Sequence, residues 1–213
     1  MFRARLLLRL WFASFLFLVF QGPAAADPIL VDDFSEAFSV LSLVSNPDPS
    51  IVTVGVDSGL NVLGGKRTTL IATTGQATPG FDSTILTFFP SSPGFMDGNS
   101  QVGWEGTISL SYDLSGLPSV LDGAVGLEIA FLGYDGPGGN PMAVTANLDP
   151  SGGGPGTDGP TAFAVGGAQV LEVLFPDGVP LDDIATLHIS FSLPTGSDFR
   201  LDSIYTVVPE PST

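Results

Sequence analysis

Few residues in this 213-residue chain have the chemistry to react or to hold a metal. Cysteine is absent, which removes thiol nucleophiles and disulfides, and His188 is the only histidine. The sequence contains no HExxH pair, no G-x-S-x-G elbow and no P-loop, and no G-x-G-x-x-G at a strand-to-helix junction. The usual landmarks of zinc hydrolysis, serine hydrolysis and nucleotide binding are therefore missing. His188 lies in the alternating run Leu187-His188-Ile189-Ser190-Phe191-Ser192-Leu193, which points it to solvent with two serines and away from any ligand set. Glutamates are sparse: Glu36, Glu105, Glu128, Glu172 and Glu210. Two carboxylates across a cleft would suit glycoside hydrolysis. For Glu105, beside Trp104, a place on the wet face of a strand is the plainer reading.

Calcium is the more serious chemical candidate. It takes six to eight oxygens, which loops between strands can supply. The linear loop D-x-[DN]-x-[DN]-G is absent, so the oxygens must come from separate segments. Asp32 and Asp33 follow the first apolar run and Asp202 lies in the last one. First and last strands of a closed sandwich are often neighbours, which makes these three the candidate ligands. The alternative is that they cap turns or pair with Arg67 and Arg200, because bases are scarce enough for each to hold a fixed carboxylate. Glycan binding would need exposed aromatic rings beside polar groups. Trp104 and Tyr134 are the candidates, set against core or edge packing.

The elements that must position these groups are strands. Apolar residues alternate over Ile29–Val31, Ala37–Val44, Ile51–Val56, Arg67–Thr73, Ser83–Phe89 and Gln101–Tyr112. They do so again over Val125–Leu132, Met142–Leu148, Val170–Phe175, Ile184–Leu193 and Phe199–Val207. The segments 46–49, 90–98, 133–141 and 149–160 read as loops from their Gly, Pro, Ser and Asp content. Five Asp-Gly pairs, the first of them Asp97-Gly98, read as tight turns. One apolar and one wet face per strand, with no helical period between them, predicts an antiparallel β-sandwich of jelly-roll type. No fixed-period repeat and no internal linker is visible, so one domain over 27–207 is expected.

The first 26 residues stand apart. Arg3, Arg5 and Arg9 precede an apolar run from Leu10 to Phe20, then Ala24-Ala25-Ala26. That order is a secretory signal peptide, with cleavage expected between Ala26 and Asp27. The run is shorter than the roughly 20 residues a spanning helix needs. Three of the six bases leave with it, so the remainder carries 3 − 22 = −19 formal charges. Such a surface repels nucleic acid and anionic lipid. The apolar content is nevertheless high enough for a core, and 27–213 is long enough to build one without disulfides.

Val208-Pro209-Glu210-Pro211-Ser212-Thr213 resembles the start of a PEP-CTERM sorting signal, with Pro209, Glu210 and Pro211 as the tripeptide. Gly196 to Ile204 is similar to the last strand that precedes this motif, and Val31-Asp32-Asp33-Phe34 to the first strand. Leu63-Gly64-Gly65-Lys66-Arg67 is similar to the family's Gly-Gly-acidic-Arg segment, with Lys66 at the acidic place. The resemblance implies export and recognition of the tripeptide by an exosortase. It also implies residence at the surface, or in the polysaccharide matrix, of a Gram-negative bacterium. The family's membrane helix and basic cluster do not follow Thr213 in this sequence. The expectation is a non-catalytic exported protein associated with exopolysaccharide; the alternatives are a calcium-stabilised carbohydrate-binding module and a glycoside hydrolase.

Overall fold

The computed structural model describes residues 27–35, 41–43, 52–58, 61–73, 86–92, 94–100 and 105–209. Among them the chain forms β1 (Leu30–Asp32), β2 (Leu41–Leu43), β3 (Val52–Ser58), β4 (Lys66–Thr73), β5 (Leu86–Ser92), β6 (Phe95–Ser100) and β7 (Gly106–Asp113). It continues with β8 (Gly126–Asp135), β9 (Met142–Pro150), β10 (Thr157–Asp158), β11 (Ala162–Ala164), β12 (Gln169–Leu174), β13 (Ile184–Leu193) and β14 (Asp198–Val207). Three short 3-10 turns are the only helical pieces among the described residues.

The strands make two antiparallel sheets. The first runs β12-β8-β14-β6-β5-β2, with β1 on β14 beyond the end of β6. The second runs β10-β9-β13-β7-β4-β3, with β11 also on β9. From β7 onward the chain crosses repeatedly from one sheet to the other, which gives the sandwich its jelly-roll character. The alternation expected from the sequence is the mechanism. In β7, Ile108, Leu110 and Tyr112 are fully buried while Thr107, Ser109 and Ser111 face outward. In β13, Leu187, Ile189 and Phe191 do the same opposite His188 and Ser190. Phe131 and Phe199 of the first sheet meet Phe191 of the second at centroid distances of 6.4 and 5.3 Å. Each such buried ring contributes about 1.5–3 kcal/mol, and these contacts join the two layers.

One segment departs from expectation in a way that matters. Residues 90–98, read as a loop, contain the end of β5 and most of β6. Asp97-Gly98 is accordingly a pair of strand residues and no turn. Met96, Gly98 and Ser100 point inward while Phe95, Asp97 and Asn99 point outward. A side chain at Gly98 would run into the Phe199 ring, its cross-strand partner, so the missing Cβ is what admits the ring. Composition alone reads this stretch as a turn; pairing on both sides, with β5 and β14, makes it a strand. The predicted loops 133–141 and 149–160 are likewise invaded by strand, at the ends of β8 and β9 and in β10.

An interior ion pair locks β1 to the second sheet. Arg67 of β4 holds the Asp32 carboxylate, and Tyr112 of β7 donates its hydroxyl to the same carboxylate over 3.1 Å. The Phe34 backbone N–H donates to its other oxygen over 2.9 Å, and the Arg67 guanidinium lies 5.4 Å from the Phe34 ring centre. All four residues are essentially inaccessible. Burial pushes the Asp32 carboxyl upward, against the pull of Arg67 and these hydrogen bonds, and pushes the Tyr112 phenol well up as well. Gly64 and Gly65, both at positive φ, turn the chain directly before β4. A Cβ on Gly64 would strike the Asp113 backbone carbonyl, which gives the Gly-Gly pair before Lys66-Arg67 a steric reason.

Candidate functional site

The outer face of the first sheet carries a groove of about 500 Å³ at one end of β6, β8 and β14. Asp97 and Asn99 come from β6, Leu132 to Asp135 from β8, Asp198 and Arg200 from β14. One wall is the turn at Gly167, which exchanges two backbone hydrogen bonds with Tyr134 (3.0 and 2.8 Å). Two irregularities aim the side chains. The β8–β14 register shifts between Arg200 and Leu201 and again between Leu201 and Ser203. Bulges of this kind re-aim strand residues at functional edges. Here they leave Leu132 47% exposed and put Asp202 outside the regular alternation.

The polar groups are held in fixed orientations. Arg200 donates to both oxygens of Asp97, Nε over 2.5 Å and Nη2 over 2.9 Å, a two-point fork on a carboxylate. Its guanidinium lies 4.7 Å from the Phe95 ring centre, stacked as a cation over an aromatic face. The Asn99 amide donates to Asp198, its partner across the β6–β14 ladder. On the other side Asp198 stands directly opposite Asp135. Burial raises the Asp198 carboxyl above its ordinary range, and the charges of Asp135 and Asp97 add to this while the Asn99 bond opposes it. Among the lining residues the formal balance is one base against three acids, 1 − 3 = −2.

The residues expected from sequence scatter around this groove. Tyr134 does line it, but its ring is 4% exposed and its hydroxyl donates to the Asn140 carbonyl over 2.6 Å. The ring belongs to the core and cannot stack on a sugar face. Trp104 lies outside the described residues. Strands β1 and β14 are neighbours, as the calcium reading requires, yet the three acids face different surroundings. Asp32 is enclosed with Arg67, while Asp33 accepts from the N–H and hydroxyl of Ser35 (2.9 and 2.6 Å). Asp202 accepts from Ser203 Oγ over 3.1 Å. Among the described residues, no group of three or more histidines and acids is placed to share a metal. Asp27 is exposed at the start of the described chain and Pro209 exposed at its end; Ala26, Glu210 and Pro211 lie outside the described residues.

Sequence reasoning missed Asp97, Asn99, Asp198 and Arg200 as a set. The available signal was the alternation of Phe95, Asp97 and Asn99 with Met96, Gly98 and Ser100. It also missed the partners of His188. On the outer face of the second sheet, Ser111 Oγ is 2.6 Å from His188 Nδ1, and His188 Nε2 is 2.8 Å from Asp149 Oδ2. This is the composition of a nucleophilic relay. Its strands β7 and β13 are paired on both sides, so the backbone N–H groups around it are spent in the ladders and leave no oxyanion hole. The row acts as a cross-strand tie.

No protein-family model matches this chain, and no curated protein matches it. Among solved structures, the chain is similar to the family 11 carbohydrate-binding module of the cellulosomal cellulase Lic26A-Cel5E of Clostridium thermocellum. The TM-score is 0.42 at 13% identity, covering 89% of this chain and 99% of that one. It is also similar to a non-crystalline cellulose specific carbohydrate-binding module, CBM28 (TM-score 0.38, 12% identity, 79% and 88% covered). A third is the CBM22-1–GH10 portion of the C. thermocellum xylanase 10B complexed with xylohexaose (TM-score 0.39, 12% identity, 87% and 29% covered). No helix among the described residues is long and apolar enough to cross a membrane.

Proposed function

We propose that this chain is an exported, non-catalytic carbohydrate-binding sandwich whose ligand lies in the groove over β6, β8 and β14. The observation that carries the reading is the Asp97–Arg200 fork, its guanidinium over the Phe95 ring, beside the Asn99–Asp198 pair and the exposed Leu132. A pyranose presents hydroxyls around its rim and C–H groups on its faces. Planar carboxylate, amide and guanidinium groups fixed before the ligand arrives match the rim at little entropic cost. Apolar surface between them matches the faces. Export and exosortase recognition of Pro209-Glu210-Pro211 complete the proposal and put the groove in contact with extracellular polysaccharide. The end of β14 at Val207 and the exposure of Pro209 support a motif that begins after the last strand.

The test is a glycan array, followed by calorimetry with and without EDTA, on the wild type and on Arg200→Ala. Binding lost in the variant at unchanged melting temperature is the expected result. Binding that Arg200→Ala leaves intact would put the site elsewhere, and loss with EDTA would reinstate a calcium requirement. One observation favours a second reading, a glycoside hydrolase: Asp198, with its carboxyl pushed up, faces Asp135 across the ladder in the same groove. Release of reducing ends from a bound polysaccharide, abolished by Asp198→Asn, would establish the hydrolase in place of the binder.

A further inference from the structure

A second cavity, of about 540 Å³, lies along the same pair of strands, lined by Pro28, Glu128, Tyr205, Thr206, Val207 and Val208. Glu128 and Tyr205 are opposite one another in the β8–β14 ladder and both are exposed. They belong to the outer face, since Ile129, Ile204 and Thr206 beside them are buried. Tyr205 is 38% exposed and has no hydrogen bond from its hydroxyl among those described. Between the two cavities the outer face is floored by Ala130 and Ser203, small residues directly opposite each other. Larger groups stand at both ends: Leu132 and Arg200 at one, Glu128 and Tyr205 at the other. From Asp198 to Tyr205 is seven residues of strand, roughly 23 Å, the length of about four or five linked pyranoses.

We infer that the two cavities are the ends of one trough, with Tyr205 as a remote stacking subsite, and that the ligand is a non-anionic glycan lying along β8 and β14. This rests on the carbohydrate-binding reading and adds direction, length and charge to it. The low floor at Ala130 and Ser203 leaves room for a chain to pass from one cavity to the other. An extended peptide is disfavoured, because β8 and β14 are paired along both edges and offer no free backbone for strand addition. Charge excludes a uronic-acid polymer. Asp97, Asp135, Asp198 and Glu128 face the trough against the single base Arg200, which Asp97 already engages.

The test uses oligosaccharide ladders from dimer to hexamer derived from cellulose, xylan and chitin, with oligoguluronate as the anionic control. Each is titrated into wild type, Tyr205→Ala, Tyr205→Phe and Arg200→Ala. Affinity of the wild type rises about tenfold between the dimer and the pentamer, the gain a stacked ring supplies. Tyr205→Ala abolishes that gain and leaves the dimer unchanged, Tyr205→Phe retains it, and Arg200→Ala weakens every length. Equal binding of dimer and pentamer, or a Tyr205→Ala loss that is the same at all lengths, overturns the trough while leaving carbohydrate binding intact. Tight binding of oligoguluronate, or of an unstructured lysine-rich peptide of equal contour length, also overturns it. If no ladder binds the wild type, the carbohydrate reading itself falls.

Discussion

Replacing Arg67 by Met tests the interior of this protein most sharply. The change keeps an unbranched apolar stem and deletes the cation, so Asp32 is left inside the sandwich without its counter-ion. Removing one partner of a buried pair costs about 3–5 kcal/mol, because the remaining charge has lost both water and its partner. Tyr112 and the Phe34 N–H still donate to Asp32 and keep the cost from rising further. The penalty must depend on pH. Without Arg67 the Asp32 carboxyl, already raised by burial, rises further and binds its proton more tightly in the folded than in the unfolded chain. Stability of the variant therefore increases as pH falls through the folded-state value, is fully present below the unfolded value of 3.8, and is lost again as pH rises through the folded-state value. Urea unfolding of wild type and Arg67→Met at pH 7 and near pH 4 measures both effects. The double variant Asp32→Leu/Arg67→Met should recover most of the loss, since it removes the buried charge altogether. A loss below about 1 kcal/mol at pH 7, with no recovery in acid, would refute the reasoning and show that water reaches the pair.

Other expected outcomes follow from the same structure. Gly64→Ala combines positive φ with a clash against the Asp113 carbonyl, and should cost about 2 kcal/mol or more in chemical denaturation. Asp198→Asn removes a carboxyl whose folded-state value is raised, so wild-type stability from this group is held at low pH and declines as pH rises above the ordinary value of 3.8. The variant should melt higher than wild type at pH 7 and no higher at pH 3; an unchanged difference across that range would contradict a carboxyl raised by burial and by the charges of Asp135 and Asp97. Gly98→Val would displace the Phe199 ring from beneath the groove, lowering stability and glycan affinity together, whereas Asn99→Ala should lower affinity alone.

Two classes of information separate in this chain. Period-two alternation of apolar residues is a local property, and it was enough to predict the sandwich and most of its strands, including both faces of β7 and β13. Scarcity of bases likewise predicts that Arg67 and Arg200 each hold a carboxylate, though not which one. What sequence could not decide was every feature that depends on a neighbour distant in the chain. β6 is strand-like only because β5 and β14 flank it, and Gly98 has a purpose only because Phe199 lies across from it. Asp32, a plausible calcium ligand by position, is an interior anion because β4 and β7 deliver Arg67 and Tyr112 to it over separations of 35 and 80 residues. The groove itself gathers side chains from residue 97 to residue 200. Register and the two irregularities in the β8–β14 ladder bring them to one face, and cross-strand register is set by the whole sheet, which no short stretch of sequence contains.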